Sequence, residues 1–232
     1  MTPRVARALA GSAAVLVAAL AAGAAPRTTF TDVERLIANQ HQLSDYADVP
    51  GSVADALPTG HYVSAATGQH VTFSDLVVTG RFTGWQPGQA TTWSGQTGIH
   101  GRHVPWDDPR AETRTITLTL TVDTVVAPTT TDPGTHLDVT LTLPGNSSPE
   151  AVAGALTAGG EVIVFLSRTP DGWTIALDGA LLGTVAPDHT ITLGVLDQAP
   201  PGTLLPALAA DAHGMTVADV AAAGPASARP RT

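Results

Sequence analysis

The 232-residue sequence contains no cysteine. That excludes a disulfide framework, a thiolate metal site, a cysteine nucleophile and a lipid-modified mature N-terminus, so the core must stand on packing alone. Lysine is also missing: all 11 basic residues are arginines, set against 20 acidic residues for a formal charge of −9. Without lysine there is no phosphate-cradling loop of the Gly-rich type that ends in Lys. The acidic balance argues against nucleic acid as a partner, because that affinity comes largely from basic groups that neutralise phosphates. No Gly-x-Ser-x-Gly elbow is present to activate a serine.

Long apolar runs are scarce as well, with one exception at the start. Arg4 and Arg7 precede an Ala/Val/Leu run from Ala8 to Ala22, and Ala22-Gly23-Ala24 follows. A charged leader, a short apolar stretch and an A-x-A site are the pattern of a cleavable secretory signal over residues 1–24. The run falls short of the roughly 20 apolar residues needed to span a bilayer, so no stable membrane span is expected after cleavage. Export to the cell envelope or the extracellular space is the expected localisation. Cleavage removes two arginines, takes the formal charge to −11 and leaves 208 residues, ample for a core.

Beyond the signal, Thr31 and Glu34 stand at capping-box spacing, and Val33, Leu36, Ile37 and Leu43 fall near one helical face, which predicts a helix over 32–43. Residues 45–60 carry Pro50, Gly51, Pro58 and Gly60 without a sustained period, as in a connector. Residues 25–60 are therefore expected to form a helical appendage and linker. The main domain is expected over 61–224, and a disordered tail over 225–232.

Strands dominate the main domain. Leu76–Trp85 is β-prone, and Ile116, Leu118, Leu120 and Val122 alternate with Thr115, Thr117, Thr119 and Thr121, the period of a strand with one buried and one wet face. Leu137, Val139, Leu141 and Leu143 repeat that pattern. The threonine ladder, with Thr140 and Thr142 beside it, is read as structural, threonine being a good strand former with a polar tip. Ser148-Pro149-Glu150 starts a helix that Gly159-Gly160 ends. Glu161–Leu166, Trp173–Leu177, Leu181–Val185 and Thr190–Leu193 read as a meander with turns at Pro170-Asp171-Gly172 and Asp178-Gly179. Leu204–Ala212 and Val217–Ala223 read as short terminal helices, the second capped by Thr216.

Three strands, a helix and then two or more strands is the order of an OB-type barrel, so the expected fold is mainly β and OB-like, with a plain sandwich as the alternative. Three stretches carry a resemblance: Ser74-Asp75-Leu76-Val77-Val78-Thr79-Gly80, the strand Ile116–Val126, and Gly160-Glu161-Val162-Ile163-Val164-Phe165-Leu166. Over about residues 74–193 the chain resembles small secreted bacterial domains of uncharacterised role with an OB-like β-barrel. The resemblance implies a fold more than an activity.

The candidate site lies in the 27-residue connection 86–112. Loops of such length without secondary structure are uncommon unless functional or disordered, and in OB folds this connection borders the ligand face. It holds Trp93, His100, His103, Trp106, Asp107 and Asp108, taken as the candidate ligand-binding residues. His100-x-x-His103 with Asp107 or Asp108 has donors for Zn²⁺, yet the spacing is not that of a zinc helix and Gly98, Gly101 and Pro105 oppose one, so no metal and no cofactor is assigned. Trp93 and Trp106 either stack on sugar rings or pin the loop to the domain. The expected function is a non-enzymatic binding or interaction domain whose partner is an envelope protein or a glycan. A secreted metal-dependent or carboxylate-based hydrolase using the same loop is the competing class.

Overall fold

The computed structural model describes residues 28–40, 49–60, 62–64, 66–92, 101–128, 132–197 and 205–223. Residues 1–24, read as a signal, and 225–232, read as a tail, lie outside these described residues.

Helix α1 spans Phe30–Gln40. Its cap is built two residues earlier than the Thr31/Glu34 spacing predicts: Asp32 N donates to Thr29 Oγ1 (3.3 Å) and Thr29 N donates to Asp32 Oδ2 (2.8 Å). The two orphan amides are thus satisfied by Thr29 and Asp32. Glu34 is released from capping and turns inward, only 7% exposed. A short helix α2 (Val53–Ala56) follows, capped by Ser52, and its first amide is also held by Asp211 Oδ2 at 2.8 Å. The stretch read as an appendage and connector contributes Val33, Ile37, Val49, Val53, Ala56 and Leu57 to the same core cluster as Leu118, Leu141 and Phe165. Prolines and glycines punctuate residues 49–60, but the apolar residues between them are buried in that cluster.

A small antiparallel pair, β1 (Tyr62–Val63) and β2 (His70–Val71), leads into the main sheet of eight strands. Strand β3 (Leu76–Thr92) pairs with the short β4 (Arg102–Val104) at its far end, and along most of its length with β5 (Thr113–Ala127). Strand β5 pairs with β6 (His136–Pro144), and helix α3 (Pro149–Ala158) follows, capped by Ser148 with Pro149 in its first turn. Then come β7 (Val162–Thr169) and β8 (Gly172–Ile175), an antiparallel hairpin. Strand β8 also runs parallel to β6, and β7 pairs with Leu76–Gly80 of β3. The pairings β3–β5–β6–β8–β7–β3 close into a ring.

Gly80 sits where β3 is clasped on both sides, opposite Val122 and Val162. A Cβ there would run into the Thr121 carbonyl oxygen, so only glycine permits this approach. Irregular register at Thr79/Gly80, Phe82/Gly84 and Pro87/Ala90 bends β3 as it winds round the ring.

The expected meander over 161–195 is corrected in one respect. Strand β9 (Leu182–Val185) does not form a hairpin with β8; it pairs with β7 and carries β10 (Ile191–Thr192) on its other side. Strand β8 pairs with Leu166–Thr169 of β7 and β9 with Val162–Val164, both antiparallel to it, so β9 continues along the same edge in the direction of β8 and the chain between them loops out without pairing. It does so through Leu177, Asp178 and Gly179, all at positive φ, with Gly179 packed against Leu141 and Ile37. The C-terminal part adds α4 (Gly194–Asp197), α5 (Leu205–Ala212) and α6 (Val217–Ala222), the last with a full Thr216/Asp219 capping box.

The alternation read from sequence is the alternation observed. Ile116, Leu118 and Leu120 are fully buried while Thr115, Thr117, Thr119 and Thr121 face outward beside Thr142, Thr140, Asp138 and His136 of β6. No helix among the described residues is long and apolar enough to cross a membrane.

Candidate functional site

The 86–112 connection is not a structureless loop. Strand β3 continues through Gln86 to Thr92, β4 folds back so that Ala90, Thr91 and Thr92 face Val104, His103 and Arg102, and a tight turn over 105–111 leads into β5. Pro and Gly ordinarily interrupt a strand, and Pro87 and Gly88 lie in this one. In the structure the register slips between Pro87 and Ala90, and Gln89 N donates to Thr115 Oγ1 at 2.7 Å, which restores pairing with β5.

Of the candidate residues, Trp93 and His100 lie outside the described residues. His103 is exposed on β4, opposite Thr91. Trp106 is half-buried and packs against the hydrophobic core. Asp107 is exposed, whereas the neighbouring Asp108 side chain is only 8% exposed. The two aspartates are therefore not equivalent. Asp108 Oδ1 accepts from Arg110 N (2.8 Å) and Arg110 Nε (3.0 Å), and Oδ2 accepts from Arg110 Nη2 (2.7 Å). Hydrogen bonds from the Arg110 side chain, and then from its backbone N–H, hold the Asp108 carboxyl at about 2, well below its usual 3.8.

A second arginine fixes the turn from behind. Arg114 Nε donates to Trp106 O (2.9 Å), Nη2 donates to Asp108 O (2.9 Å), and Nη1 donates to Gly145 O. Asp108 N and Ala111 N close the turn onto Pro105 O and Asp108 O, each at 3.0 Å. The guanidinium of Arg110 is thereby held on a carboxylate that is itself held by the backbone, so the turn is built before any ligand arrives.

Between this turn and the β3–β4 edge lies an open cleft of about 300 Å³ lined by Thr92, Arg102, His103, Val104, Pro105 and Arg110. Of the described candidate residues only His103 lines it. Trp106 anchors the turn, and Asp108 orients Arg110. The arginines are the part that reading the sequence missed. Attention to metal donors and stacking rings passed over them, although Arg102, Arg110 and Arg114 fall within 13 positions of an arginine-poor, acidic chain. Among the described residues no three His, Asp or Glu side chains come together as a metal site. Compared with known proteins, the chain matches no family model, no curated protein and no solved structure.

Proposed function

We propose that this chain is an exported, non-enzymatic binding domain of OB-like architecture that takes its ligand at the β3–β4–β5 end of the ring. The order of pairings supports the OB-like reading: ring strands β3, β5 and β6, helix α3, then β7 and β8, with β8 parallel to β6. In such a ring the β3–β5 connection borders the ligand face. The observation that carries the proposal is the cleft there, bounded on one side by a turn that Asp108, Arg110 and Arg114 make rigid.

Asp108 lacks what a hydrolase's general acid needs. A carboxyl held ionised to about pH 2 by Arg110 has no proton to give near neutrality. Export rests on the sequence pattern of residues 1–24, and the partner it implies is a component of the envelope or of the medium.

The proposal is tested by immobilising the protein against solubilised envelope and culture medium of its host, beside an Arg102→Glu, His103→Ala variant. A component retained by the intact protein and lost by the variant supports the binding role and its location. Retention by neither form, together with turnover of an ester, amide or glycoside substrate that His103→Ala or Asp107→Ala abolishes, would replace the binding domain with a hydrolase.

A further inference from the structure

Resting on that reading, we infer that the cleft beside β4 binds an oxyanion group, a carboxylate or a phosphate, through Arg102 and the outer edge of Arg110. Six arginines lie among the described residues, at 35, 81, 102, 110, 114 and 168, and half of them are in the 102–114 segment. Their roles divide. Arg114 is spent on three backbone carbonyls of the turn and its neighbour. Arg110 lines the cleft with one edge engaged: Nε and Nη2 each donate once to Asp108.

A guanidinium has five N–H donors in a planar fork, so Arg110 keeps three, two on Nη1 and one on Nη2. They form the second bidentate edge of the group, the geometry that matches two oxygens of a carboxylate or phosphate. The first edge is locked on Asp108, so this second edge is presented with little freedom left to lose. Its side chain is 79% exposed, leaving that edge open to a ligand.

Arg102 faces the same cleft from the edge strand β4, exposed and without an ion pair to any described residue. Its exposed position gives it no structural task comparable to that of Arg114. Thr92 and His103 add polar groups to the lining, and Val104 and Pro105 form an apolar wall. Asp108 neutralises one arginine charge; Asp107 and Glu112, both exposed, are not part of the lining. The cleft therefore keeps an excess positive charge in a chain of formal charge −9. Its volume is at the small end for a ligand pocket, suited to one anionic group and the atoms next to it.

The test is a titration of the purified protein with sodium phosphate and with sodium citrate at low ionic strength, each against sodium chloride at matched ionic strength. Binding is followed by calorimetry and by the rise in Tm. Vesicles of phosphatidylglycerol and of phosphatidylcholine form a second arm. Saturable binding of phosphate or citrate is expected, weakened about tenfold by Arg102→Ala, the size of one charge-assisted hydrogen bond, and weakened again by Arg110→Lys, which loses the fork. Arg102→Ala removes no side-chain hydrogen bond or ion pair to a described residue and is expected to keep the parent Tm. Binding to phosphatidylglycerol vesicles alone, lost in Arg102→Ala, would identify a lipid headgroup as the source of the oxyanion; binding of the free anions identifies a soluble one. No binding in either arm, or binding that Arg102→Ala leaves unchanged, overturns the inference. If envelope capture persists undiminished in phosphate, in citrate and with Arg102→Ala, the binding role stands and the oxyanion site falls; if capture fails altogether, the binding role falls with it.

Discussion

The buried carboxylate of Glu34 on α1 accepts the backbone N–H of Gly194, the first residue of α4, with the Asp197 carboxylate close by. Burial first, and repulsion from Asp197 second, raise its pKa from 4.5 to about 6, against the opposing pull of the Gly194 N–H and of Arg35. A carboxyl raised on folding binds its proton more tightly in the folded state. Its contribution is therefore fully present below pH 4.5 and is lost as pH rises through about 6. The expected loss is about 1 kcal/mol, discounted for solvent screening. Glu34→Gln keeps an acceptor for Gly194 without the charge. Thermal unfolding across pH 4.5–7.5 should show a flatter profile for this variant and a higher Tm at pH 7.5. A variant no more stable than the parent at pH 7.5 refutes the assignment.

Asp108 acts in the opposite direction and in a separate pH range. Arg110 lowers its pKa to about 2, so the pair stabilises the folded protein above about 3.8 and that contribution disappears as pH falls through 2. Asp32, Asp188 and Asp219 are also lowered, by bonds from Thr29, Thr190 and Thr216, and contribute with the same sign. The effect of Asp108 is accordingly a difference measurement. Acid unfolding of Asp108→Asn should be less steep between about pH 4 and 2 than that of the parent, while the Glu34 range is unchanged. Superimposable acid profiles would show that the Asp108–Arg110 pair adds nothing to stability.

The two faces of β5 predict contrasting substitutions one position apart. Leu118 is fully buried within the ring, and its truncation to Ala removes packing atoms from a closed core, at an expected cost of about 2–5 kcal/mol. Thr117 faces outward opposite Thr140, and Thr117→Ala should change stability by about 0.5 kcal/mol or less. Urea unfolding of both variants decides the matter. A large loss at Thr117 would mean that the outer face is covered rather than wet.

What could be read from the residues was local periodicity and capping. The β5 and β6 alternations, the Ser148-Pro149 start of α3 and the Thr216 cap of α6 all depend on neighbours within a few positions, and each is found where expected. The failures depend on partners far along the chain. The α1 helix was legible, but whether it packs on the main domain was not, because the elements that Val33 and Ile37 pack among begin about 40 positions later. The β-prone run reads as ending at Trp85 because the register slip that carries β3 past Pro87 and Gly88 is made against Thr115, 26 positions beyond Gln89. Leu177–Gly179 looked like a hairpin turn because nothing nearby reveals that β7 has already given half of its edge to β8. At the site, Asp108 was singled out while its partner Arg110 was passed over. That the Asp108 carboxylate holds Arg110 follows from side-chain geometry and has no signature in spacing.

Two glycines make the last contrast, because one is required by its surroundings and the other is not. Gly80 occupies the point where β3 is paired on both sides, and a Cβ there would meet the carbonyl oxygen of Thr121 on the neighbouring strand. That obstacle is backbone within a closed ring, so it cannot yield by a rotamer change. Gly80→Ala is expected to cost about 1–3 kcal/mol, the usual penalty for overpacking, with the β3–β5 pairing displaced. Gly154 stands on the exposed face of α3 with nothing within 4 Å of an added Cβ. Gly154→Ala should therefore stabilise the protein by about 0.5–1 kcal/mol through helix propensity. Chemical unfolding of the two variants should move the midpoint in opposite directions. A neutral Gly80→Ala would mean that β3 and β5 separate at Thr121 without loss, and the ring would then not be closed through that pairing as described.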